Sequence, residues 1–326
     1  VCYGQGNDRP TVTDANVVLG RINAERPIGG KLARLDVAAA RRAIESEIGA
    51  RLGLDAMAAA EAIVRVANSR MAGAIRLVSI ERGHDPRDFI AMPFGGGGAL
   101  HAGALIGEVG LAKALIPRFP GVTSALGCVI ADMRHDFVQT VNRTLGELDG
   151  DALSATAARF EAQGRALLDR SGGAFTAVER VVELDMSYLG QTHTVAVPFP
   201  GAALSPEALR AAFEKRYREV YARLLDGIAI RVLNLRLAMI GRRPKLDLAL
   251  LAPPSDKTVA AARSGTRLVY VDGGWVEAAI FARLELPVGA VIAGPAVLEQ
   301  PDTTIFVDPG LEGRVDRFGN FIVSRV

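Results

Sequence analysis

Four consecutive glycines, Gly95-Gly96-Gly97-Gly98, are the residues of this sequence best suited to hold a ligand. Lacking Cβ atoms, they let backbone N–H groups approach a bound molecule closely, and a helix starting at Ala99 would aim its positive dipole end at the same spot. An anionic group or the ring of a nucleotide fits such a place. The run equally suits a tight strand-to-helix connection needing positive φ, and the local pattern leaves both readings open. It is not a Walker-type phosphate loop, because no Lys-Ser/Thr pair follows at the required spacing. It is not the dinucleotide fingerprint either, having no third glycine in register and no evident acidic partner. Gly29-Gly30-Lys31 also fails the phosphate-loop test, since Leu32 follows.

His101 lies one turn inside the helix expected after the glycines, within reach of a bound phosphate or a reacting carbonyl. General acid–base work needs a pKa near neutrality and contact; a hydrogen-bonded packing role needs neither. Thr11-Val12-Thr13-Asp14-Ala15-Asn16 is a polar cluster in which Asp14 suits either a helix cap or the orientation of water or Mg²⁺. Arg134-His135-Asp136 resembles a catalytic pair, but adjacent residues point apart, so it reads as a junction between domains. Gln191 and His193 read as a solvated hairpin edge, with a substrate- or partner-facing role as the other option. No Gly-x-Ser-x-Gly elbow, His-Glu-x-x-His or paired-carboxylate signature occurs, so a self-contained hydrolase has no visible nucleophile.

The elements that must position these residues follow from periodicity. Asp36 caps a helix over 36–53 whose stripe is Val37, Ala40, Ile44, Ile48 and Leu52, with Gly53 closing it. A longer helix runs over 56–82. The run 88–94 reads as a strand emptying into the glycines, then a helix to Val109; 112–116 reads as strand and 123–133 as helix. Strand, glycine loop and helix in that order are the unit of an α/β nucleotide-binding domain. Gly146 to Asp151 breaks the pattern before a helix over 152–170, which sets a boundary between residues 1–145 and 146–326. Beyond it the signals are mostly β. Residues 182–188 and 193–197 alternate as a hairpin, Ser205-Pro206 opens a helix, and a strand from Ile228 to Met239 slips phase near Val232, where a bulge is expected. The last 60 or so residues are short strands with turns at Gly273-Gly274 and Gly319-Asn320.

With 38 Lys and Arg against 36 Asp and Glu, the net charge is +2, and no basic run interleaved with aromatics points to nucleic acid. A 49% hydrophobic, 23% charged chain of 326 residues can bury a proper core, yet its apolar runs fall short of the roughly 20 residues of a membrane span. Cys2 and Cys128 make neither a disulfide framework nor a metal site and read as reduced thiols, which points to a cytoplasmic protein. The opening Val1-Cys2-Tyr3-Gly4-Gln5-Gly6 has neither an initiator Met nor a leader, and reads as the interior of a longer polypeptide.

Several segments together resemble the hydantoinase A/5-oxoprolinase family. They are Cys2 to Gly6, Pro10 to Asn16 with Leu19-Gly20-Arg21, Phe94 to Gly98 with Leu100-His101-Ala102, Tyr188 to Gln191, Gly294 to Val297, and Gly319-Asn320. The resemblance keeps its order along essentially the whole chain. It implies an α/β fold: part of an actin/sugar-kinase/Hsp70-like ATPase lobe, followed by a β-rich α+β C-terminal domain. It also implies ATP with Mg²⁺, Gly95 to Gly98 at the adenosine position, Asp14 near the catalytic cleft, and His101 orienting phosphate or substrate. The implied reaction is phosphorylation of a cyclic amide oxygen, in a lactam or hydantoin, to drive ring opening, completed by a hydantoinase B-type subunit or fused B half. The two phosphate loops of that fold have no counterpart here, so they are expected upstream, in a missing N-terminal lobe of the same chain. Kinship with ketone carboxylases keeps an ATP subunit of that kind open. So do a scaffold role for the isolated chain and a sugar-kinase-like activity.

Overall fold

Side-chain caps start several helices of the computed structural model, which describes residues 1–30, 32–201, 203–252 and 256–326. Lys31, at the end of the Gly29-Gly30-Lys31 run, lies outside the described residues. Asp36 accepts from the Ala39 N–H and Asp55 from the Ala58 N–H, opening helices Val37–Ile44 and Ala56–Val78. The first of these widens into a π turn at Glu45–Gly49 before Ala50–Leu52, and Gly53 closes it in the left-handed conformation, as the sequence led one to expect. The second is continued by a separate 3₁₀ turn at Ile80–Arg82.

These helices belong to a unit made of Val1–Gly127 and Asp247–Val326. Their buried faces, with Ala15, Val17 and Leu19, pack on Val269, Ala278, Ile280, Val297 and Phe306. Those five residues lie in a four-stranded sheet ordered Thr303–Val307, Ala296–Gln300, Gly274–Ala282 and Arg263–Val271. Strand Thr303–Val307 is buried throughout. Phe306 faces the helices, whereas Ile305 and Val307 enter a second core with Ala102, Ile106, Ile116, Phe321 and Val323. The second core also covers a five-stranded sheet, ordered Ile90–Ala91, Lys113–Ile116, Phe321–Arg325, Leu311–Val315 and Val291–Ala293. Its centre joins chain segments more than 200 residues apart, with Phe321 opposite Ile116. Burying side chains of this size contributes about 1.5–3 kcal/mol each. Residues 247–326 therefore pack with the first 127 in one compact unit.

The other unit, Cys128–Leu246, is an antiparallel sheet ordered Met133–Thr144, Ile230–Arg242, Ala177–Tyr188 and Val195–Pro198. Helices Gly150–Arg170 and Pro206–Tyr221 lend it Leu153, Phe160, Leu168, Leu209, Phe213 and Tyr217. The expected bulge is present: Asp185 pairs with Asn234 and Met186 with Val232, leaving Leu233 as the extra residue. Ile230 and Val232 before it, and Leu235, Leu237 and Met239 after it, can then all be buried. Strand Met133–Thr144 replaces the junction expected at Arg134-His135-Asp136; Arg134 and Asp136 pair with each other on one face at 2.8 Å. Among the described residues no helix is long and apolar enough to cross a membrane.

Candidate functional site

The glycine run is reached from a strand of only two residues, Ile90–Ala91, and is held from below by the turn at residues 301–303. The Gly95 N–H donates to the Pro120 carbonyl at 2.7 Å, and the fully buried Thr303 donates its hydroxyl to the carbonyls of Gly95 and Gly96 at 3.4 and 3.1 Å. Asp302 accepts from the Gly121 N–H at 2.8 Å, tying the same turn to residues 118–121.

The four glycines are not equivalent. Gly95 has φ +83°, which an L side chain rarely adopts, so the fold itself requires glycine there. Gly97 has an ordinary φ of −111°, is exposed, and a Cβ added to it would meet nothing within 4 Å. The connection thus requires glycine at Gly95 and at none of the other three, of which Gly97 has the most open surroundings. The α-helix also starts later than expected: Gly98–His101 is a 3₁₀ turn and the helix proper is Ala102–Val109. Its first-turn dipole is therefore displaced from the glycines, because the dipole effect fades within one turn.

Gly96, Gly97 and Gly98 form one wall of a cleft of about 470 Å³ whose other lining includes Tyr3, Val12, Thr13, Asn16, Met71 and His101. It brings together the glycine run, the Thr11–Asn16 cluster and the histidine that the sequence placed apart. The described residues that line it carry no formal charge, and Ile22, Ile28 and Leu100 add to its apolar surface. Such a lining suits an uncharged ring better than a row of phosphates.

Asp14 does not open into this cleft. It is fully buried, and its carboxylate accepts from the Cys2 N–H at 2.6 Å and from the Thr11 N–H and hydroxyl at 2.8 Å each. With Thr11 accepting from the Asp14 N–H it closes a capping box on helix Val12–Val18. Burial alone would push the carboxyl up, but the hydrogen bonds from Cys2 and Thr11 outweigh it and hold the pKa at about 2. The expectation that Asp14 orients water or Mg²⁺ is corrected on this geometry: its oxygens are occupied by donors and do not fit a metal ligand. Cys2, beside it, is pushed up to about 12, mainly by burial and then by its hydrogen bond to Asp14, and is an inert thiol.

His101 does line the cleft. It is 8% exposed, and its Nδ1 lies 2.6 Å from Oδ1 of Asn68, a residue buried on helix Ala56–Val78. Desolvation, and then the nearby Arg21 guanidinium, hold its pKa below the ordinary histidine value, so the imidazole is neutral. Arg21 is itself buried over the Phe306 ring at 4.8 Å. It also acts on Asp308, whose carboxyl is raised to about 6 by burial despite that attraction.

Asn68, Arg21 and Asp308 escaped the sequence reading. Asn68 carried one signal, an amide on a helix face otherwise small and apolar; Arg21 stood only inside the family-like segment; Asp308 is brought close by strand pairing alone. Elsewhere, Gln191 braces a turn, donating to the Tyr217 hydroxyl at 2.8 Å, and His193 is exposed. Among the described residues no group of three or more His, Cys, Asp or Glu is placed to hold a metal ion.

Residues 1–137 match the family model described as hydantoinase/oxoprolinase, and residues 150–325 match the hydantoinase/oxoprolinase C-terminal domain. The whole chain is 35% identical to an uncharacterised protein of Methanocaldococcus jannaschii, covering 46% of it. Over 97% of its length it is 33% identical to caprolactamase subunit alpha of Pseudomonas jessenii, again covering 46%. The crystal structure of ATP-dependent caprolactamase from that organism superposes with a TM-score of 0.73 at 30% identity, over 99% of this chain and 48% of that one. A nucleotide-free acetone carboxylase gives 0.75 at 25% identity, over 100% and 48%.

Proposed function

Because the chain belongs to the hydantoinase/oxoprolinase family, we propose that it is part of an ATP-dependent A-type subunit that phosphorylates the carbonyl oxygen of a cyclic amide, a lactam or hydantoin, to drive ring opening. The chain spans about half the length of the curated relatives it matches, 46% of each of the first two. In this reading it forms one wall of an actin-like ATPase site, and the phosphate-binding loops come from elsewhere in the longer protein. A hydantoinase B-type partner, separate or fused, completes the hydrolysis.

The observation that carries the reading is the exposed Gly97, a glycine the fold does not need, facing an uncharged cleft shared with helix Val12–Val18. Gly96 to Gly98 and Tyr3 would hold the nucleoside part. Asp14 is assigned to positioning that helix rather than to contact with substrate. His101, neutral, contacts the uncharged part of the ligand rather than its phosphates. ATP supplies the phosphoryl group that turns a poor amide oxygen into a leaving group. Such transfer rests on positioning and charge neutralisation, which suits a chain without a nucleophile motif. Mg²⁺ accompanies the nucleotide, and its ligands are not assigned to this chain.

The likeness to acetone carboxylase supports a second reading, an ATP subunit that activates a ketone-derived oxygen for carboxylation. Phosphate release by the full-length protein with its B-type partner separates the two. Cyclic amide hydrolysis coupled to ATP consumption is expected. ATP consumption only with a ketone and bicarbonate would favour the second reading, and no ATP turnover with either would overturn both.

A further inference from the structure

Two buried polar side chains meet at the edge of the cleft. Asn68 comes from helix Ala56–Val78 and His101 from the turn after the glycines, and they meet at 2.6 Å. The amide Oδ1 faces Nδ1, and because that oxygen only accepts, the imidazole donates its Nδ1 proton in this orientation of the amide. A neutral ring with its proton on Nδ1 has a bare lone pair on Nε2, and no described residue donates to that atom. His101 lines the cleft, whose lining also carries the apolar Leu100, Met71, Ile22 and Ile28 and the uncharged polar Tyr3, Thr13 and Asn16.

We infer that Asn68 is a positioning residue that fixes the His101 tautomer, so that the cleft presents a hydrogen-bond acceptor and selects the nucleoside end of its ligand by a donor group, an N–H or O–H. This rests on the proposed nucleotide site and sharpens it, because phosphate oxygens, being acceptors themselves, are disfavoured against the same lone pair. Two donor sources exist on adenosine, the exocyclic amine of the base and the ribose hydroxyls. An acceptor left without its donor in a half-dry site loses binding of about tenfold.

The test uses the full-length protein and compares the affinity of ATP with that of purine riboside triphosphate, which lacks the amine, and with 2′- and 3′-deoxy-ATP. One of the three analogues is expected to bind about tenfold more weakly than ATP. Asn68→Leu, which leaves Nδ1 without an acceptor, should bring that ratio close to one, whereas Asn68→Asp, which still accepts from Nδ1, should preserve it. Nitrogen NMR of His101 should report the Nδ1–H tautomer in the wild-type protein. Equal affinity for ATP and all three analogues, or an Nε2–H tautomer, would overturn the inference while leaving the nucleotide site in place. Failure of ATP itself to bind would overturn the site and the inference together.

Discussion

Two buried carboxylates, one in the antiparallel sheet of residues 128–246 and one beside the cleft, are treated in opposite ways. In the sheet, Asp185 is answered by its neighbours, accepting from Asn234 and Arg236 at 2.8 Å each across the bulge. Beside the cleft, the buried Asp308 has an oxygen with no hydrogen-bond partner, and the Nε of Arg21 is in the same condition. Two strands of 12 and 13 residues set Asn234 opposite Asp185, with Arg236 two residues farther along. Asp308 lies just past the five-residue strand Thr303–Val307, beyond the last residue that strand pairs with Ala296–Gln300. The difference separates a carboxylate that its neighbours answer from one that burial chiefly governs.

The sheet region gives the largest expected effect. Phe213, fully buried against Tyr188 and Tyr217, should cost about 3–5 kcal/mol when changed to Ala, read as a lowered denaturant midpoint. If nucleotide affinity of the folded variant fell as well, the contrast between the two regions would break.

Acidity tests the cleft region next. The Asp308 carboxyl is raised in the folded state to about 6, so its stabilising protonated form is fully present below the ordinary carboxylate pKa and is lost as pH rises through about 6. Stability should therefore fall by up to roughly 3 kcal/mol across that window. Asp308→Asn should flatten the profile there. Asp14 runs the other way: its contribution is present above the ordinary carboxylate pKa and disappears only as pH falls through about 2. A stability curve flat from pH 4 to pH 7 would contradict the assignment for Asp308.

A smaller effect separates two glycines of one loop. Gly95→Ala forces a side chain into φ +83° and should cost about 1–2 kcal/mol. Gly97→Ala, with an ordinary φ and open space, should stay within about 0.5 kcal/mol. Equal costs in thermal unfolding would mean that the loop is a structural connection throughout.

Much of this was legible in the residues. Caps at Asp36 and Ser205, the left-handed close at Gly53 and the bulge beside Val232 each follow from chemistry within a few positions. The hairpin turn was misplaced by one residue, since Asp272 and Gly273 take the positive φ values and Gly274 already begins a strand. Strand Met133–Thr144 was missed because it is an edge strand, mostly exposed, with little apolar alternation to betray it. The return of residues 247–326 to the first 127 could not be read at all, because pairing of Phe321 with Ile116 leaves no local signature. At the site, the glycines and His101 announced themselves by type, whereas Asn68 and Asp308 matter only through neighbours distant in sequence. Asp14 was given two roles by its sequence context, and only its donors, Cys2 and Thr11, decided between them.

The central claim is that Gly97 is glycine for the sake of a ligand and not of the fold. Its most direct test is the ATP affinity of full-length Gly97→Val measured by calorimetric titration alongside its unfolding temperature. The account predicts a loss of about tenfold or more in affinity with little change in stability. Unchanged affinity in a normally folded variant would contradict it.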